Sequence, residues 1–246
     1  CEEIAKFSPR DAERYPAYEE MLDRVLAVLH RRGRGTASVG PQRRTVVNAA
    51  GLYADDVSRA LGGEPFTVVG VDSSERMLEQ CRIRAEEAGV TELIDLRLGD
   101  LRRPPVTELV GLVTSPFRSL LHLQTDQERL EALAAVRGLL VPGGRFAFDV
   151  FEPSSEDIEQ TDGRWLEREP GIWERADWDV DLRVLHLSVR GEEGETRMRL
   201  AWLAPIEWRM LLDRAGFGEV ACYGWFDRRP YAGGEDSVWI VCRPDE

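Results

Sequence analysis

Residues 65–101 read PFTVVGVDSSERMLEQCRIRAEEAGVTELIDLRLGDL, and this stretch decides the fold. Phe66 to Val71 is a short β-rich apolar run that stops at Asp72. A helix-period segment follows from Ser74 to Ala88 and is closed by Gly89, a residue that tolerates the left-handed turn after a helix. A second strand, Ile94 to Leu98, ends at Gly99-Asp100. Strand, acid, helix, strand, acid is the pattern of a parallel βαβ unit. Ligands of open parallel sheets bind outside the carboxyl ends of the strands. Two carboxylates at neighbouring strand ends predict a ligand rich in hydroxyl and amine donors.

The alternation continues on both sides. Thr45 to Ala50 reads as a first strand, followed by Gly51, a helix-like stretch from Ala54 to Leu61, and Gly62-Gly63. Leu109 to Val113 reads as a fourth strand, broken by Ser115-Pro-Phe-Arg118. Thr125-Asp-Gln-Glu128 is a capping box, and Leu130, Leu133, Val136 and Leu140 predict the buried face of the helix it opens. Val141-Pro-Gly-Gly144 stops that helix, and Arg145 to Phe151 supplies a fifth strand. From Trp165 to Leu203 the residues alternate polar and apolar, which predicts an antiparallel insert with one wet face. A helix opened by Pro205, carrying Trp208, Leu211 and Leu212, ends at Gly216, and two strands, Glu219 to Trp225 and Ser237 to Cys242, finish the domain. The expectation is an α/β Rossmann-like three-layer sandwich: a mostly parallel seven-stranded sheet with an antiparallel last strand, plus a small antiparallel β insert near 163–204. Residues 1–44 read as an N-terminal helical segment (Pro16 to Arg31) and a Gly- and Arg-rich linker, and 45–246 as the main domain.

Composition narrows the function. The 246 residues carry 43% hydrophobic and 31% charged side chains, those of a globular protein with a substantial core. A formal net charge of −13 argues against a nucleic-acid surface, which needs clustered Lys and Arg. No apolar run reaches the roughly 20 residues of a membrane helix, and no signal-peptide pattern is present. Cys1, Cys81, Cys222 and Cys242 have no metal or CxxC spacing. They predict buried thiols in a reducing, cytoplasmic setting and, with three unclustered His, no metal site.

The ordered blocks Val69-Val-Gly-Val-Asp72-Ser-Ser, Gly99-Asp100, Pro116-Phe-Arg-Ser-Leu-Leu-His122-Leu, Leu140-Val-Pro-Gly-Gly144 and Ala215-Gly-Phe217 resemble those of class I S-adenosylmethionine-dependent methyltransferases, across about residues 45 to 246. PFRSLLHL, FDVFEP and YGWFD are most similar to bacterial small-molecule methyltransferases of that fold. The resemblance implies S-adenosylmethionine as cofactor and a small-molecule acceptor with a nitrogen, oxygen or carbon nucleophile. It assigns Asp72 to the ribose hydroxyls and Asp100 to the adenine amino group, with the Leu101 amide beside the ring and Met77 on its face. Ser73 and Gly99 flank these acids in the matched blocks, and Ser115 and Phe117 fall near the methionine portion and the transferring methyl. The first loop departs from the family's acid- and glycine-rich pattern: Asn48-Ala-Ala-Gly51-Leu-Tyr-Ala54 keeps the length but has one glycine, and leaves Asn48, Ala50 and Gly51 to face the cofactor. Asp55 and Asp56 would repel a pyrophosphate there, which suits a ligand without phosphate.

Each assignment has a plainer counterpart. Asp72 also suits a helix N-cap. His122 is the candidate general base or substrate-orienting group, with a helix-start packing role as the alternative. Arg118 either binds a substrate carboxylate or pairs with an acid, and Trp165, Trp173, Trp178 and Trp202 form either a substrate lid or the core of the insert. Two functional alternatives stand beside methyl transfer: a methyltransferase-like protein that binds without turnover, and a different Rossmann-type nucleotide-dependent enzyme, the latter lacking its GxGxxG loop.

Overall fold

The computed structural model describes residues 44–48, 66–192, 194–225, 228–234 and 236–245. The helix and linker expected within 1–43, the helix expected at Ala54 to Leu61, and Ala50, Gly51, Asp55 and Asp56 lie outside them. Strands β1 (Arg44–Asn48), β2 (Phe66–Asp72), β3 (Ile94–Leu98), β4 (Val110–Ser115), β5 (Leu140–Phe151), β10 (Gly218–Tyr223) and β11 (Asp236–Cys242) form one mixed sheet in the order β10-β11-β5-β4-β1-β2-β3. All pairs from β5 to β3 are parallel, and β11 runs antiparallel to both β5 and β10. Strand β1 is the hinge of the layout: β2 and β3 lie to one side of it, β4 and β5 to the other.

The helices follow from local chemistry. In α1 (Glu75–Ala88) the Ser74 hydroxyl accepts the Met77 N–H at 3.3 Å, and Gly89, at φ 67°, ends the helix with bonds back to Ala85 and Glu86. In α2 (Asp126–Leu139) Thr125 and Glu128 form the expected capping box. Its buried face is Arg129, Ala132, Leu133, Val136 and Leu139. Leu140, expected on that face, is instead the first residue of β5 and fully buried there, because the backbone turns extended at this point to pair with Val110. After β5 come a short helix α3 (Ser155–Thr161) and α4 (Pro205–Arg214), which buries Trp208, Leu211 and Leu212.

Helices cover both faces. Val69 and Val71 of β2 share a core cluster with α2 and α4. Val68, one residue out of phase, and the buried Leu78, Cys81 and Ala85 of α1 lie outside that cluster, so alternation along the strand puts α1 on the opposite face. On the α2–α4 face an aromatic column runs through Phe146, Phe148, Trp208 and Trp239, with Phe148 5.6 Å from Trp208 and 6.1 Å from Trp239. Each such buried side chain contributes about 1.5–3 kcal/mol of transfer free energy.

Between α3 and α4 a second, antiparallel sheet, β6 (Trp165–Glu169), β7 (Ile172–Asp179), β8 (Val184–Gly191) and β9 (Gly194–Ala201), forms in sequential order. One face is apolar, with Ala176, Leu185 and Leu200 buried in the core cluster, and the other carries ion pairs such as Arg175–Asp177 and Arg190–Glu195. Trp202 is buried and Trp178 packs edge-on to it and to Phe151, which makes both part of the core, whereas Trp165 lies under the Arg190 guanidinium on the polar face. Among the described residues no helix is long and apolar enough to cross a membrane.

Trp208 joins α4 to the aromatic column and is fully buried. Trp208→Ala should therefore cost about 3–5 kcal/mol of stability in denaturant unfolding, with an unchanged slope, and Trp208→Phe much less.

Candidate functional site

The strand order reverses at β1, so the edge beyond the carboxyl ends of β1 and β4 is the switch point at which open parallel sheets bind ligands. The residues at that edge are Asn48, Asp72, the Gly99-Asp100-Leu101 segment and Ser115. Asn48 closes β1, with Gly70 and Thr114 opposite it in register.

Asp72 is half-buried, and its Oδ1 accepts the Ser74 N–H at 2.8 Å, with the Ser73 amide adding to the hold. The helix cap proper is Ser74, so capping is not what occupies Asp72. An ionised carboxylate has about four lone-pair directions, and two amides leave room for a vicinal diol. Burial raises the Asp72 pKa above its ordinary value, against the pull of the two amides and of His122. Ser73 is exposed beside it, and Met77 is half-buried in the first turn of α1.

Asp100 has a different character. Arg102 folds back onto it, donating from Nε to both carboxylate oxygens (3.0 and 3.1 Å) and from Nη2 to Oδ2 (2.6 Å), and its backbone N–H reaches Oδ1 at 2.8 Å. Those bonds hold the Asp100 pKa below the ordinary carboxylate value. Arg102 also pairs with Glu128 of the α2 capping box, so the Asp100 end of the edge is tied to the start of α2. The resemblance left Arg102 out; the D-x-R spacing is the local signal that could have found it. Gly99 has a structural reason to be glycine: a Cβ there would lie 2.3 Å from the Pro105 ring. Leu101 is half-buried and packs against the core cluster.

Past β4 the chain does something unusual. Ser115 is fully buried on the Phe148 side of the sheet and its hydroxyl has no partner among the described residues. Phe117 and Arg118 then both take positive φ, 57° and 60°, a region that non-glycine residues avoid. A 3-10 turn, Ser119–His122, follows, with Leu120 and Leu121 fully buried against the insert's apolar face. Gln124 ties the two together, donating to the carbonyls of His122 (2.9 Å) and of Arg199 in β9 (3.0 Å). The insert thus seats the segment that carries His122. His122 is open to solvent at the rim, yet desolvation lowers its pKa below 6.5, and the Asp72 charge pulls it partly back. A neutral imidazole is the form a proton acceptor requires. Arg118 is bound to Asp236 at 2.7 Å, which settles its pairing with an acid.

Residues 48–144 match the sequence model of the methyltransferase domain family. No curated protein sequence matches. Solved structures do. The CcbJ methyltransferase of Streptomyces caelestis is similar at 22% identity over 92% of this chain and 95% of that one, with a TM-score of 0.71. An S-adenosylmethionine-dependent methyltransferase from Clostridium acetobutylicum is 12% identical over 82% and 85%, with a TM-score of 0.69. An amino pentose methyltransferase from Micromonospora echinaspora, solved with S-adenosylmethionine bound, is 19% identical over 93% and 94%, with a TM-score of 0.58. Residues 48–144 are thus similar in sequence to the methyltransferase domain family, and the fold is one that solved S-adenosylmethionine-dependent methyltransferases share.

Proposed function

We propose that the chain transfers a methyl group from S-adenosylmethionine to the amine of a small-molecule acceptor. The observation that carries this reading is the Asp72 carboxylate at the end of β2, aimed by the Ser73 and Ser74 amides and with acceptor capacity to spare at the edge where the sheet diverges. The donor set suits a nucleoside without phosphates: carboxylates, a half-buried thioether at Met77 and backbone amides, and no cationic cradle for a pyrophosphate among the described residues of the edge. Asp72 would hold the ribose diol. Asp100 and the Leu101 amide would face the adenine edge, with Arg102 fixing the carboxylate's direction.

When bound, the cofactor supplies the electrophilic methyl, so the chain needs no nucleophile of its own. Its residues bind, orient and manage a proton. Neutral His122 receives the proton that the acceptor nitrogen sheds, and Asp72 stabilises the imidazolium that results. The 3-10 turn and the insert beneath it hold His122 at the rim, while Phe117 stands over the end of β4. An amine is supported by the neighbours: besides the amino pentose enzyme, they include a sugar N-methyltransferase from a Streptoalloteichus species and a glycopeptide N-methyltransferase. A second reading, a binding protein without turnover, is favoured by the first loop, where Asn48-Ala-Ala-Gly51 stands in place of the family's acid- and glycine-rich pattern.

Calorimetry with S-adenosylmethionine and S-adenosylhomocysteine tests the cofactor. Asp72→Ala should weaken binding about 10–100-fold, the loss of hydrogen bonds to a charged group, and Asp100→Ala by less than about tenfold because Arg102 already occupies that carboxylate. Absence of binding below millimolar concentration, with no effect of Asp72→Ala, would sink the reading, and binding without methylation of any of a panel of amines would select the second one. The His122 imidazole, followed by NMR, should titrate below 6.5, and Asp72→Asn should lower it further, since the charge that raises it is gone.

A further inference from the structure

Asp149 is an acid in the apolar run FAFDVF of β5, and it is only 8% exposed. Its Oδ2 accepts the Arg118 N–H at 3.1 Å, and the Phe117 amide also bonds to the carboxylate. Its Oδ1 has no partner. These two amides belong to the two consecutive residues with positive φ. Such a pair costs on the order of 1–3 kcal/mol for each residue and persists only where its surroundings over-determine it. Here they do. Besides the Asp149 bonds, the Arg118 guanidinium donates twice to Asp236 of β11 (2.7 and 3.1 Å) and lies 5.0 Å from the Phe151 ring, and the Ser119 hydroxyl donates to the Pro116 carbonyl at 2.6 Å. Phe151 and Asp236 are direct cross-strand partners, so Asp149, Phe151 and Asp236 share one sheet face beneath the turn.

We propose that Asp149 is a positioning residue for methyl transfer: from β5 its carboxylate holds the left-handed Phe117–Arg118 turn and so fixes Phe117 at the end of β4. The role in transfer rests on the methyltransferase reading; the hold on the turn does not. Stability alone does not account for an acid here, because a buried carboxylate with an unpaired oxygen is costly, and an amide of the same shape would cost less. What the acid adds is charge-assisted bonding to two backbone amides, roughly twice as strong as the neutral kind.

Two opposed pH trends follow. Burial is the main cause that lifts the Asp149 carboxyl from 3.8 to about 7; Asp236 adds to it, and Arg118 and the two amides oppose it. Those two side chains are the charged groups that face it, one from the turn and one from β11. Between pH 4 and 7 the folded form binds more protons than the unfolded, so global stability falls as the pH rises through that window. The grip on the turn changes the other way, since the ionised oxygen is the stronger acceptor.

Hydrogen exchange on peptides spanning 116–122, without ligand and corrected for intrinsic rates, reads the turn directly. Wild type should show about tenfold more protection of the Phe117 and Arg118 amides at pH 8 than at pH 6, while its melting temperature falls. Asp149→Asn should lose that protection at pH 8 and melt about 2–4 °C higher there. Its S-adenosylhomocysteine affinity should stay within about twofold of wild type, while kcat for methyl transfer drops at least tenfold. Wild-type protection that is equal at both pH values, or an Asn variant that keeps it, overturns the proposal. Failure of wild type to bind S-adenosylhomocysteine overturns only the cofactor reading, because the exchange result stands without it.

Discussion

Parallel pairing on both flanks of β1 is the constraint from which the site follows. It sends the carboxyl ends of β1 to β5 to one edge, and the order reverses there at β1, the place where open parallel sheets bind ligands. Anything at or just past a strand's carboxyl end therefore arrives at the same edge. Asp72 at the end of β2, Asp100 after β3 and the Phe117–Arg118 turn after β4 share no sequence neighbourhood, yet the sheet delivers all three to it. The chemistry at the edge is then differentiated by what each side chain finds within reach: two amides for Asp72, a guanidinium for Asp100 and the Asp72 charge for His122.

Much of this was written in local pattern. A β-rich run cut off by an acid, a helix ended by glycine and a capping box before α2 are short-range signals, and the elements form where those signals stand. What local pattern left open or misplaced has long-range causes. Leu140 fits the helical spacing of α2, but pairing with Val110, thirty positions away, extends the backbone there. Gly99 precedes Asp100 in a matched block, and what requires a glycine there is the Pro105 ring, six positions on. Arg118 and Asp236 are 118 positions apart, so nothing local joins them. Asp149 had a visible signal, a lone acid in an otherwise buried strand, but its meaning came only from the amides placed opposite it.

The insert illustrates how a peripheral element can serve a site it does not line. Its apolar face buries against Leu120 and Leu121, and Gln124 pins β9 to the same segment. The opposite face is satisfied by its own ion pairs, whose exposed members contribute little to stability individually. Packing, not surface charge, is thus what couples the insert to the rim.

Strand β11 has a temporal consequence. It lies between β5 and β10, and β10 touches the sheet only through it. During synthesis, β5 must wait with an open edge until residues 236–242 arrive, and an unpaired apolar edge is a template for the wrong partner. The same arrival brings Asp236 to Arg118. The sheet edge and the post-β4 turn are therefore completed together, by a strand made more than 80 positions after β5. A chain stalled shortly before that point would hold the Asp72–Asp100 half of the edge in order and the Phe117–Arg118 half unfinished.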